Sequence, residues 1–250
     1  AVPLAEVPGG AAFGSALHGV LEHLDFQDPT GLTDRVAEAL AAWGAAGDPR
    51  AVAGALRDML ATPLLDDGLR LADVPRRRRI DELSFTLPLR GGFAPSGFVT
   101  PQALADAWRP EAGTPDGWIE ALEELGFDPL RGFLVGAIDL IVEHDGRWFV
   151  ADYKSNDLGG TYADYASEHL PAHMVGSAYL LQAHLYVLAL HRFLARRLPD
   201  YSYDTHVGGS LYLFLRGMHP DLGPRCGVWF ERPSRALIER LDALFCGGDA

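Results

Sequence analysis

Two apolar stretches, Phe133–Val142 and Trp148–Tyr153, carry charged residues where a buried strand can least accommodate them. Both are rich in β-branched and aromatic residues. The turn His144-Asp145-Gly146 joins them, so the sequence predicts a hairpin of two largely buried strands. The first strand holds Gly136-Ala137-Ile138-Asp139, the second Ala151-Asp152-Tyr153-Lys154-Ser155. Side chains alternate along a strand, so Asp152 and Lys154 share one face and Tyr153 takes the other. Asp139 lies on the adjoining strand, which gathers two carboxylates and one ammonium at one end of the hairpin.

Charges in an apolar hairpin are costly unless they are paired or bound to metal. One reading is an Asp–Lys ion pair that fixes the register. That leaves the second carboxylate as surplus negative charge, which a divalent cation would remove. Carboxylates, substrate oxygens and water are the usual ligands of Mg²⁺. Such an ion polarises a phosphoryl oxygen and acidifies a bound water. The ammonium of Lys154 would orient that water or neutralise charge developing on phosphorus. Asp139, Asp152 and Lys154 are therefore the candidate catalytic residues.

Composition sharpens one of these positions. Lysine and arginine total 21, and Lys154 is the only lysine. In a chain that otherwise uses arginine throughout, either one lysine survived by chance or position 154 needs a compact ammonium that a planar guanidinium cannot imitate. The net charge of −13 argues against a broad basic face for nucleic acid, since phosphate contacts dominate such binding. Any DNA-handling role then needs a local positive patch, a metal or a partner that delivers the strand. The only basic run, Arg76–Arg79, reads either as a solvated face or as a phosphate or partner contact.

Hydrophobic residues make up 48% of 250, enough for a sizeable core. No stretch approaches the ~18 apolar residues needed to span a bilayer. The opening AVPLAEVPGG does not read as a signal peptide. Cys226 and Cys246 could pair but do not make a disulfide scaffold, and a reducing compartment is expected.

Helical spacing predicts helices over Ala12–Leu24, from an N-cap at Thr33 to about Trp43, and from Asp48-Pro49 onward with Val52, Leu56, Met59 and Leu60 on one stripe. Glu82–Leu89 alternates as a strand, and Gly91–Gly97 reads as a loop. Pro101–Trp108 and Pro115–Leu125 read as short helices. After the hairpin, helices resume at Tyr162, with one long helix from about His173 to Leu198. Gly208-Gly209 leads into a strand over Ser210–Arg216, Gly227–Glu231 adds another, and a helix from about Pro233 to Phe245 closes the chain. Helices flanking a small mixed β-sheet give an α/β fold.

The patterns G-x-x-D, D-Y-K-S and Q-x-x-x-Y, met at Gly136–Asp139, Asp152–Ser155 and Gln182–Tyr186, resemble the RecB-type branch of the PD-(D/E)xK nuclease superfamily. The stretches LHGVLEHLDF, GRWFVADYKSNDLG, LQAHLYVLALHRFL and GGSLYLFLRG narrow the resemblance. They look like the nuclease domains at the C-terminus of RecB subunits in RecBCD-type helicase–nucleases. The resemblance runs to the final ERPSRALIERLDALF and is weakest between about Gln27 and Arg131, where only ELSFTLPL stands out.

That resemblance implies a restriction-endonuclease-like core, with a single nuclease domain over 1–250. Residues 1–80 would form its mainly helical part carrying His18, and 81–250 the nuclease core. It implies a Mg²⁺-dependent deoxyribonuclease acting on single strands, with Mn²⁺ substituting and Ca²⁺ binding without supporting cleavage. His18 and the backbone carbonyl of Tyr153 would join Asp139 and Asp152 as metal ligands. Taken alone, a histidine on a helix stripe is more often a packing residue; Glu22, one turn on, would hold its other nitrogen or be solvated. Gln182 and Tyr186, four apart on a helix, would grip the DNA backbone, or form a polar patch on a core helix. Ser155 would touch a phosphate, and Glu82 would stand at the edge of the site. The implied partners are DNA, a helicase motor domain and RecC- and RecD-like subunits, in the bacterial cytoplasm. No G-x-x-x-x-G-K-[ST] is possible with one lysine, so this chain holds no helicase motor. The competing reading is a catalytically silent nuclease fold used for DNA binding or docking. A silent member usually loses an acid or the lysine, and here all are present.

Overall fold

The computed structural model describes residues 1–90, 93 and 97–246. In chain order it contains helices α1 (Ala11–His23), α2 (Leu32–Trp43) and α3 (Pro49–Ala61), then strand β1 (Arg79–Leu89). Helices α4 (Pro101–Trp108) and α5 (Trp118–Glu123) precede the hairpin of β2 (Gly132–His144) and β3 (Arg147–Lys154). Helices α6 (Leu170–Gly176), α7 (Tyr179–Ala195) and α8 (Tyr203–His206) lead to β4 (Val207–Phe214), β5 (Val228–Glu231) and α9 (Arg235–Cys246). The strands form one five-stranded sheet in the order β1-β2-β3-β4-β5. This is the α/β architecture expected. No helix among the described residues is long and apolar enough to cross a membrane.

The hairpin forms for the reasons its sequence gives. Asp145 and Gly146 both take positive φ, the primed turn that Asp-Gly favours, and the antiparallel register runs from His144↔Arg147 to Leu140↔Ala151. Leu140, Val142, Phe149, Ala151 and Tyr153 enter the same core as α1, α2 and α3. Ile141 and Val150 point to the opposite face. One residue beyond the last couple, that second face carries Asp139 and Asp152 across from each other. Burial is less complete than expected, because the first half of β2 is partly open: Phe133 and Val135 are exposed.

Contacts divide the chain into two compact units. The first comprises residues 1–83, 138–170 and 211–231, and so contains α1–α3, β3, β5 and the second half of β2. The second comprises 84–137, 171–210 and 232–250. Within the second unit, Trp108 of α4 packs edge-on against Trp118 of α5 and against His184 of α7. Arg192 of α7 pairs with Asp242 of α9, and Arg240 of α9 with Glu111.

Several expected boundaries move. The long helix over His173–Leu198 is two helices. They part at Gly176-Ser177-Ala178, where Ala178 adopts the left-handed conformation (φ 55°) that an α-helix cannot continue through. Pro115–Leu125 yields only the short α5, which starts after the left-handed Gly117. Gly31, not Thr33, caps α2, while Asp48 caps α3 as read, accepting from Arg50 N at 3.1 Å. β1 starts earlier than Glu82, and β4 starts at Val207 and ends at Phe214. The loop expected over Gly91–Gly97 lies mostly outside the described residues. Cys226 is a buried free thiol.

Two arginines that the sequence did not distinguish knit the first unit together. Arg79, the last of the basic run, is buried; it donates to Leu24 O, pairs with Asp81 and lies 3.5 Å over the Phe26 ring. Arg216 is 1% exposed. Its Nε donates to Ser155 O (2.9 Å), and its Nη1 to Leu4 O (2.6 Å) and Val7 O (2.9 Å). The chain before α1 and the turn after β3 are thus held by one guanidinium. Arg216→Met leaves the Ser155 and Val7 carbonyls without a donor and takes one of two donors from the Leu4 carbonyl, at about 1–3 kcal/mol for each carbonyl that water cannot reach. At 2–4 °C per kcal/mol for a chain of this size, a thermal melt should fall by roughly 10 °C. A melt within about 2 °C of the parent would show that water replaces the arginine.

Candidate active site

Three elements of the first unit supply the site. Helix α1 presents His18 beside the end of β3, β2 presents Asp139, and β3 presents Asp152, the Tyr153 carbonyl and Lys154. His18 Nε2 donates to Tyr153 O at 3.0 Å, and its Nδ1 stands 3.3 Å from Asp139 Oδ2. The same Asp139 oxygen accepts from Tyr153 N at 3.0 Å. Both imidazole nitrogens therefore face acceptors. Burial lowers the His18 pKa, but Asp139, Asp152 and the Tyr153 carbonyl outweigh it, so the net shift is upward.

Asp152 is 3% exposed and pairs with Lys154. Burial and then the charge of Asp139 raise its carboxyl to about 6, against the opposing pull of Lys154 and His18. The Lys154 ammonium also stands 5.0 Å over the ring of Tyr212 on β4. His18 and Asp139, with Glu22, Glu82 and Tyr153, line a cavity of about 30 Å³. Glu82 has a positive φ of 50°, strain that a strand residue seldom carries, and sits at the cavity rim. Its carboxyl is raised chiefly by the charge of Glu22 and by a hydrogen bond with it.

Among the described residues, no three His, Cys, Asp or Glu side chains form a ready cation cage. His18 stands against Asp139, and Asp152 pairs with Lys154. The donor set nevertheless fits a hard divalent ion. It offers carboxylate oxygens, one imidazole nitrogen and one peptide carbonyl, and Glu22, Glu82, Asp139 and Asp152 exceed the cations facing them.

The expected residues His18, Asp139, Asp152, Tyr153, Lys154 and Glu82 thus meet in one place. Ser155 follows Lys154, and its carbonyl is held by Arg216. Gln182 and Tyr186 belong to the second unit. They share a face of α7, with Gln182 Nε2 donating to the Tyr186 hydroxyl at 2.9 Å, and the Tyr186 ring packs edge-on against Phe85 of β1. Phe85 also explains the glycine of the G-x-x-D pattern: a Cβ on Gly136 would stand 2.6 Å from that ring.

Sequence reasoning missed several neighbours. Glu22 does not hold His18; Asp139 and Tyr153 do, while Glu22 lines the cavity with Glu82. Tyr212 and Arg216 gave no signal beyond their residue type, and nothing in the basic run set the buried Arg79 apart from its three neighbours. Of the basic run, Arg76, Arg77 and Arg78 are exposed, with Arg76 paired to Asp81 and Arg78 to Glu143.

A family model described as the PD-(D/E)XK nuclease superfamily matches residues 4–240. The RecBCD enzyme subunit RecB of Escherichia coli (strain K12) is 36% identical over 244 residues, which cover 97% of this chain and 20% of that protein. The subunit of the same name from Mycobacterium tuberculosis is 39% identical over 269 residues, covering 98% and 24%. That from Haemophilus influenzae is 35% identical over 253 residues, covering 96% and 19%. The chain therefore spans about a fifth to a quarter of the length of these relatives.

Proposed function

The chain belongs to the PD-(D/E)XK nuclease superfamily, and on that premise we propose that it is a metal-dependent deoxyribonuclease cutting phosphodiester bonds of single strands. It would serve as the nuclease domain of a RecBCD-type helicase–nuclease in double-strand break repair and recombination. A helicase motor domain and RecC- and RecD-like subunits would be its partners. The observation that carries this reading is the buried Asp152–Lys154 pair set beside Asp139 and His18 at the end of one hairpin. Such charge placement disfavours the folded state and is typical of catalytic sites.

Asp139, Asp152, His18 and the Tyr153 carbonyl would hold Mg²⁺, whose charge would polarise a phosphoryl oxygen and acidify a water. His18 gives up one ring proton to act in this way, and its other nitrogen keeps a hydrogen bond that fixes the ring. Lys154 donates a hydrogen bond to the attacking water or to a non-bridging phosphate oxygen, placed by its pairing with Asp152. Gln182 and Tyr186 offer an amide and a phenol to the strand's backbone. The acidic surface suits a domain that receives DNA from a tethered motor, where local concentration replaces intrinsic affinity.

The test is cleavage of a fluorescent single-stranded DNA across a Mg²⁺ titration, comparing the native chain with Asp139→Ala and His18→Ala. The native chain should cut, Asp139→Ala should not, and His18→Ala should need far more Mg²⁺ or fail. An unchanged titration for His18→Ala removes it from the ligand set. DNA binding without cleavage by the native chain, together with no Mg²⁺ binding by calorimetry, would favour the silent fold.

A further inference from the structure

The start of α1 is not closed as helix ends usually are. The chain enters it through Pro8-Gly9-Gly10, all exposed, and the N-cap is a glycine with no side chain to offer. The first helical bond runs from Gly14 N to Gly10 O, so the amides of Ala11, Ala12 and Phe13 have no acceptor among the described residues. Orphan amides and the positive end of the helix dipole favour an anion there.

Two further groups point at the same place. Arg216 spends Nε and Nη1 on three carbonyls, but its enclosed Nη2 has no partner. That nitrogen stands 3.8 Å from the point where a Gly9 side chain would begin. The Ser155 hydroxyl lies 3.2 Å from the corresponding point of Gly14 and has no hydrogen-bond partner among the described residues. The nearby acid, Asp157, accepts from Gly159 N at 3.1 Å.

We propose that Gly9, Gly10 and the first turn of α1, with Ser155 and Arg216, form a phosphate cradle. It grips a phosphate of the same DNA strand further along from the one being cut. The idea rests on the nuclease reading for the identity of the anion. Its geometry comes from the seam between α1 and the end of β3. His18 meets the Tyr153 carbonyl at one point of that seam, and Gly14 meets Ser155 further along it. Gly10 lies ~12 Å up the same helix from His18, at 1.5 Å per residue. A strand laid along the seam brings one phosphate to Lys154 and another, further along the strand, to the helix end.

Ala12→Glu tests this without weakening the fold, because an acid in the first turn of a helix stabilises it while repelling phosphate. Ala42→Glu, exposed on α2, is the charge-matched control. Binding of fluorescent oligo(dT) is followed by anisotropy in EDTA over a range of salt. Ala12→Glu should bind roughly fivefold more weakly or worse, with a salt dependence shallower by about one charge, and melt no lower than the parent. Ala42→Glu should match the parent. Equal affinities for the two variants overturn the cradle, as does a native chain that binds no oligonucleotide at low salt. Oligonucleotides with a 5′-phosphate or a 5′-hydroxyl separate the sources. A phosphate-dependent gain that Ala12→Glu abolishes assigns the cradle to a strand end. Equal binding of both, equally weakened, assigns it to an internal phosphate. Since no metal is present, a chain that never cuts DNA still reports the cradle, and the two readings fail separately.

Discussion

Asp152→Asn should abolish DNA cleavage and, in the absence of divalent ions, melt higher than the parent at neutral pH. The side chain is buried across from Asp139, and its carboxyl is raised from 3.8 to about 6 even with Lys154 alongside. A raised carboxylate in the folded state favours the protonated form. Its contribution to stability is therefore full below the unfolded value of 3.8 and is lost as pH rises through about 6. At pH 7.5 the ionised form costs the parent on the order of 2–3 kcal/mol, a cost the neutral amide avoids. Melting curves from pH 4 to pH 7.5 should show the parent losing ground to the variant across that window. Added Mg²⁺ should raise the parent's melt, by the mass action of a ligand that binds only the folded state, and leave the variant nearly unmoved. A variant that melts lower than the parent at pH 7.5 would show that the Asp152–Lys154 pair is a net support of the fold, not a strained site.

That pair also marks how far the residues alone could be read. The hairpin, its Asp-Gly turn and the clustering of Asp139, Asp152 and Lys154 follow from period-two patterning and turn chemistry, which are local. His18 is different: a helix stripe says nothing about which strand end it will face, and only the fold puts its ring 3.0 Å from the Tyr153 carbonyl. Long-range contacts were the least legible. Arg216 touches Leu4 and Val7 from the far side of the chain, and Tyr212 lies beneath Lys154, because the sheet brings distant segments together. The break between α6 and α7 is hidden in the sequence for the opposite reason. Its apolar spacing continues through Ala178, and only the backbone angle ends the helix.

Lys154→Arg separates the two things a buried cation can do here. If position 154 merely neutralises Asp152, arginine should serve as well or better, since its guanidinium makes stronger, forked pairs with carboxylates. If the ammonium places a water or a phosphate oxygen, arginine should fail. The side chain is only 11% exposed, wedged between Asp152 and the Tyr212 ring. A longer planar group there keeps the charge but cannot put a single N–H donor at the same point. Preorganised charge loses much of its effect when it moves by even 1 Å, and removal of one such donor typically costs about 10²–10³ in rate. Cleavage of single-stranded DNA by Lys154→Arg should therefore fall by at least about 100-fold, while its melting temperature and its calorimetric Ca²⁺ binding stay near those of the parent. Retained cleavage would reduce Lys154 to a counter-ion for Asp152. Lost Ca²⁺ binding would mean that the arginine disturbs Asp152 itself, and the lysine's part in the chemistry would have to be sought with a smaller change.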